Sequence, residues 1–175
     1  MTTTPLRFFV LGATGRTGSA IARLALRDGH SVTAFVRSPQ KLQSAGVVAS
    51  GTSGVLGVVQ GGLDDVGALA QAMTGHDAVF CAIAPSVREV LTGKPSGSMA
   101  SLVEKIVRAT TQARVSRLLT FTSGAMFKDA GLLMRIVDTT LARSHHNDLR
   151  AVEAVLAASD LDWTVARPGD MSVGS

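Results

Sequence analysis

Three glycines, Gly12, Gly15 and Gly18, recur at three-residue spacing directly after an apolar, β-branched and aromatic run from Leu6 to Leu11. The run reads as a buried strand, and the pattern that follows reads as a helix. Gly12 permits a tight turn, Gly15 lets the backbone approach a bound anion, and Gly18 lets the helix lie close on the strand. The helix N-terminus then presents N–H groups and the positive end of its dipole. This order of strand, glycine turn and helix is what the pyrophosphate of a dinucleotide needs.

The helix expected over Ser19–Arg27 carries Ile21, Leu24 and Ala25 on one face, with Gly29 where a C-terminal cap belongs. A second strand, Ser31–Val36, completes a βαβ unit. At its end an NAD-specific site would place a carboxylate for the ribose 2′-hydroxyl. The residues there are Ala34, Phe35, Val36 and then Arg37, 25 positions after Gly12. A guanidinium pairs instead with a 2′-phosphate, and Arg16 in the loop can reach the same group. The cofactor expected is therefore NADP(H) in preference to NAD(H).

Ser38 to Gln43 reads as a short helix or turn, and Ser44 to Gly54 as a surface loop. Further strands are expected at Val55–Val59, Ala78–Ala84, Arg117–Ser123 and Asp160–Ala166. Helical stripes fall at Val66–Met73, at Leu102–Thr110 behind a capping box Ser101–Glu104 (or a cap at Ser98), at Leu132–Leu141 and at Asn147–Ala158. Pro85 to Gly97 reads as a loop at the carboxyl edge of the sheet. Strict strand–helix alternation predicts an α/β fold: a Rossmann-type doubly wound parallel sheet with helices on both faces, in three αβα layers. Residues 1–175 are expected to form one such domain.

Composition narrows the function. Hydrophobic residues make up 46% and charged ones 17%, as in a globular chain with a core. The net charge is +4, yet no Lys/Arg cluster occurs and tyrosine is absent, which argues against nucleic-acid binding. Before position 89 there are seven basic and four acidic residues, so the excess lies in the half that holds the glycine loop. A modest positive field suits a polyanionic cofactor. No apolar run of about 18 residues predicts a membrane span, and no basic leader precedes the first strand. The one cysteine, Cys81, falls in an apolar strand and reads as an inert core thiol in a reducing, cytoplasmic setting. No His, Cys and carboxylate set has metal-ligand spacing.

Four segments together are specific to a family: Gly12-Ala-Thr-Gly-Arg-Thr-Gly18, Val36-Arg37, Thr122-Ser-Gly124 and Ser159-Asp-Leu-Asp-Trp-Thr-Val-Ala-Arg-Pro-Gly169. In these the chain resembles the atypical short-chain dehydrogenase/reductases, in particular the NAD(P)H-binding group of NmrA-like proteins and biliverdin IXβ/flavin reductases. The resemblance implies that Gly12, Ala13, Thr14, Gly15, Arg16, Thr17 and Gly18 bind the pyrophosphate and Arg37 the 2′-phosphate. It puts Leu63 near the adenine, Ala82, Ile83 and Ala84 beside the ribose, and Thr122 and Ser123 near the nicotinamide. Three departures stand out. Gly61-Gly62 replaces the Gly-Asp common before the position of Leu63, no tyrosine exists for a Tyr-x-x-x-Lys pair, and the chain ends at Ser175, where relatives continue into segments that wall the substrate pocket. Either the protein is minimal or its natural chain continues past Ser175.

Without a tyrosine to take a hydroxyl proton, alcohol oxidation and sugar-nucleotide epimerisation lose their usual acid–base group. Hydride transfer from NADPH to a flavin, a quinone or a similar conjugated acceptor asks mainly for positioning. Ser123 then hydrogen-bonds the carboxamide or the acceptor, and one of His145 and His146, taken as His146, offers a proton. Such an enzyme takes a small-molecule electron acceptor and works as a monomer or homodimer. The alternative is a non-catalytic NADP(H)-sensing regulator of the NmrA-like type, docking through the apolar stripe between Asp129 and Arg143.

Overall fold

The computed structural model describes residues 4–49, 51, 53–83, 99–121 and 150–166. Five helices and six strands are described: β1 (Arg7–Leu11), α1 (Arg16–Arg27), β2 (Ser31–Val36), α2 (Gln40–Ser44), β3 (Leu56–Gln60), α3 (Val66–Met73), β4 (Ala78–Cys81), α4 (Met99–Gln112), β5 (Arg117–Phe121), α5 (150–157) and β6 (Asp162–Ala166). All strand pairs are parallel, in the order β3-β2-β1-β4-β5-β6. The chain therefore builds outward from β1 to one edge, returns, and builds outward to the other, which makes the sheet doubly wound as expected.

Two apolar clusters separate the layers. On one face Phe9, Leu11, Val79, Cys81 and Leu118 pack under α3, α4 and α5 through Leu69, Met73, Ile106, Val152 and Leu156. On the other, Val10, Val32, Ala34 and Val36 pack under α1 and α2 through Ala22, Leu26 and Leu42. Alternate residues of β1 thus feed opposite clusters, as the period of a strand demands. Parallel strands covered on both faces read as near-continuous apolar runs, which is why β1, β2 and β4 were visible in the sequence.

Several expectations need correction. Helix α1 begins at Arg16, not Ser19, and its buried face is Gly18, Ser19, Ala22, Ala25 and Leu26, whereas Leu24 is 49% exposed. Ala22, Ala25 and Leu26 pack against the sheet residues Val10, Val32 and Ala34, so they, and not the leucine at 24, occupy the contact line. Helix α4 is already helical at Met99, which places Ser101 inside its first turn and not at a cap. Strand β4 ends at Cys81, where Ala78–Ala84 was expected, although the Ala82 amide still bonds the Leu11 carbonyl at 3.0 Å. Ser98, Asn147 and the stripe from Leu132 to Leu141 lie outside the described residues. No helix is long and apolar enough to cross a membrane among those described.

Candidate dinucleotide site

Parallel register places the carboxyl ends of β1, β2, β3 and β4 side by side, with Leu11 level with Phe35 and Cys81, and Phe35 level with Val59. Strand order reverses between β1 and β4, and in open sheets that crevice is where ligands bind. The loop from Gly12 to Gly15 and the start of α1 stand over it.

The three glycines answer to different constraints. Gly12 has φ +80°, and a Cβ there would sit 2.6 Å from the Ala82 carbonyl oxygen, so the fold itself requires glycine. The Ala82 amide in turn donates to the Leu11 carbonyl at 3.0 Å, fixing the chain after β4 against the loop. A Cβ on Gly18 would overlap the Gly12 carbonyl, lying 2.6 Å from its carbon. The close approach at Gly18 is therefore to the loop backbone, where helix against strand was expected. Gly15 differs: it is exposed and extended (φ −85°, ψ 169°), and its Cβ would come no nearer than 3.3 Å to the Gly12 oxygen.

Gly15 is also the N-cap of α1, and no side chain caps that helix or adds an acid to its first turn. The first turn of a helix leaves backbone donors without intrahelical partners, so this end keeps its positive dipole pole for an anion. Arg16, exposed at the first helical position, adds a full positive charge. The residues present fit a pyrophosphate cradle.

Within the loop, Ala13 is fully buried in the cluster with Val10 and Ala22, so it can meet a ligand only through its backbone. Thr14 and Thr17 are half-buried. Arg37 follows β2, is exposed, and makes no ion pair among the described residues; its carbonyl accepts from the Gln60 side-chain amide at 3.3 Å. Leu63 and Ile83 are half-buried against the cluster of Phe35 and Leu69, and Ala82 is half-buried over Gly12. Gly61 is dictated by the Phe35 ring, since a Cβ would reach 2.7 Å from Cε2, whereas nothing lies within 4 Å of one at Gly62. Ala84, Thr122, Ser123 and His146 lie outside the described residues.

Beyond the loop, Asp65 caps α3 by accepting from Ala68 N at 2.9 Å, and an aspartate just ahead of an apolar stripe is a signal the sequence did carry. Asp64 pairs with Lys105 of α4 at 2.7 Å, and that hydrogen bond and charge hold its carboxyl below the usual carboxylate range. Cys81 is buried; desolvation pushes its thiol up, against smaller opposing hydrogen bonds involving Ile83 and Thr120. Among the described residues no three acidic, histidine or cysteine side chains gather as a metal site would require.

Comparison with known proteins agrees with this geometry. A family profile described as NAD(P)H-binding matches residues 12–174. The oxidoreductase stcQ of Emericella nidulans is 32% identical over 184 residues, covering 94% of this chain and 65% of that protein. Protein TIC 62, chloroplastic, of Pisum sativum is 30% identical over 179 residues, covering 93% of this chain and 32% of that protein. The chain thus spans 65% and 32% of the length of these two relatives. A short-chain dehydrogenase/reductase of Veillonella parvula in complex with NADP superposes with TM-score 0.64 at 20% identity, over 94% of this chain and 69% of that one. Gly12–Gly18 at the mouth of a β3-β2-β1-β4-β5-β6 sheet, together with a profile match along nearly the whole chain, shows that the protein belongs to the NAD(P)H-binding family.

Proposed function

We propose that the protein is an NADPH-dependent reductase of a flavin, a quinone or a similar conjugated acceptor. The observation that carries the choice of cofactor is Arg37, exposed at the carboxyl end of β2 where an NAD-selective site keeps a carboxylate. The Gly12–Gly18 backbone and the α1 N-terminus hold the pyrophosphate, Arg37 and Arg16 hold the 2′-phosphate, and Leu63, Ala82, Ile83 and Ala84 flank the adenosine and ribose. The bound nicotinamide supplies a hydride. Ser123, with Thr122 beside it, orients the carboxamide or the acceptor, and His146 delivers the proton that the reduced acceptor takes up with the hydride.

The choice of acceptor follows from the missing tyrosine, and stcQ, an oxidoreductase by name, supports redox chemistry as the class. Steady-state NADPH consumption with FMN, FAD and simple quinones tests the reading. Turnover with any of these, lowered about a hundredfold or more in His146→Gln if the histidine is the acid, bears it out. NADPH binding without turnover overturns it in favour of a regulator that senses NADP(H).

A further inference from the structure

The carboxyl ends of β2 and β3 are joined around Arg37 by more than the strand ladder. Gly61 N donates to the Val36 carbonyl at 3.1 Å, which pins the peptide plane before Arg37. The Gln60 side-chain amide donates to the Arg37 carbonyl at 3.3 Å, which pins the plane after it. The Phe35 ring closes over Gly61 beneath them. On the far side Pro39 opens α2, where Lys41 N and Leu42 N donate to Ser38 O and Pro39 O at 3.1 and 3.0 Å and Leu42 is buried. Of the two bonds flanking Arg37, the first is backbone to backbone and any sequence can make it. The second needs a side chain of this length with a donor at its tip. Gln60 is exposed on an edge strand and has no place in the core.

We propose that Gln60 is a positioning residue for cofactor selection: it fixes the backbone from which the Arg37 guanidinium departs and so holds that guanidinium ready for the ribose 2′-phosphate. The inference rests on the reading of Arg37 as the 2′-phosphate partner. With both flanking peptide planes held, the guanidinium searches a narrower cone, and less freedom is lost when the phosphate binds. The bond therefore favours phosphorylated dinucleotides and leaves unphosphorylated ones untouched.

Titration calorimetry of the full chain with NADPH and NADH, and with 2′,5′-ADP and 5′-AMP, tests this without any turnover. The wild-type chain is expected to favour the phosphorylated member of each pair. Gln60→Ala, and Gln60→Met, which keeps the length but removes the donor, are expected to narrow both preferences by about three- to tenfold through weaker binding of the phosphorylated ligand alone. Gln60→Glu narrows them further, because its carboxylate competes with the phosphate for Arg37. Unchanged preferences in the folded variants, or a loss shared equally by NADPH and NADH, overturn the role of Gln60. Absence of any preference in the wild-type chain overturns the reading of Arg37 instead.

Discussion

Replacing Gly18 by alanine drives a methyl group into the Gly12 carbonyl, a backbone neighbour that cannot swing aside. The expected cost is about 1–3 kcal/mol of stability, as for overpacking elsewhere, read as a lower melting temperature. Gly15→Ala meets only a 3.3 Å contact in extended, exposed backbone. Its stability is expected to stay within about 1 kcal/mol of wild type, while calorimetry shows NADPH binding weakened tenfold or more, by about 1.4 kcal/mol. Equal behaviour of the two variants in both measurements would show that the loop does not divide its work this way. Cys81, buried with its thiol pushed up, is expected to react with a disulfide reagent only as fast as the chain unfolds. Its burial was readable from the apolar run around it. The tie between Gln60 and Arg37 was not, because a side-chain donor meeting a carbonyl 23 residues away leaves no periodicity behind.

Helices α1 and α4 close with the same backbone pattern but different residues. After α1, His30 N bonds Ala25 O at 2.9 Å and Gly29 N bonds Leu26 O at 3.2 Å, with Gly29 at φ +87°. After α4, Val115 N bonds Thr110 O at 3.1 Å and Arg114 N bonds Thr111 O at 3.0 Å, but the left-handed position, φ +57°, is held by Arg114. A side chain there carries a steric penalty that glycine lacks, partly offset by the greater freedom of glycine when unfolded. Arg114→Gly is therefore expected to stabilise the protein by about 0.5–1 kcal/mol in denaturant titrations. The cap at Gly29 was legible because glycine announces itself, whereas an arginine doing the same task gives no sign. The inward face of α1 was misread for a related reason: apolar periodicity follows side-chain size, but the small residues Gly18, Ser19, Ala22 and Ala25 are buried with Leu26 while Leu24 is exposed. Between the turn that precedes α3 and helix α4, the Lys105–Asp64 pair holds the Asp64 carboxyl low. Its contribution is present above the ordinary carboxylate pKa and disappears as pH falls through the lowered value of the folded state. Lys105→Met is expected to remove that part of the acid-side slope, and added salt to shrink it in the wild-type chain, since Asp64 is exposed.

A chain that binds dinucleotide only when folded is stabilised by ligand in proportion to the logarithm of its concentration. NADPH at a hundred times its dissociation constant is expected to add about 2.7 kcal/mol to unfolding, with NADH needing a proportionally higher concentration for the same shift. Thermal melts across a concentration series of each check this, and identical series for both would remove the case for Arg37. The parallel sheet was legible from strand–helix alternation. Its strand order was not, because alternation with right-handed crossovers leaves several arrangements open, and the reversal beside β1 shows only in the pairing of β1 with β4. Strand β1, the centre of that sheet, also imposes an order of events on the growing chain. Its lock on β4 runs through Asp77, which accepts from Arg7 N at 2.6 Å across 70 residues of sequence, and Gly12 takes its final shape only against the carbonyl of Ala82. At the usual pace of translation those 70 residues take roughly 4–14 s to appear. Strand β1 and the glycine loop therefore leave the ribosome well before Asp77 and Ala82, and their contacts with those residues close only after them.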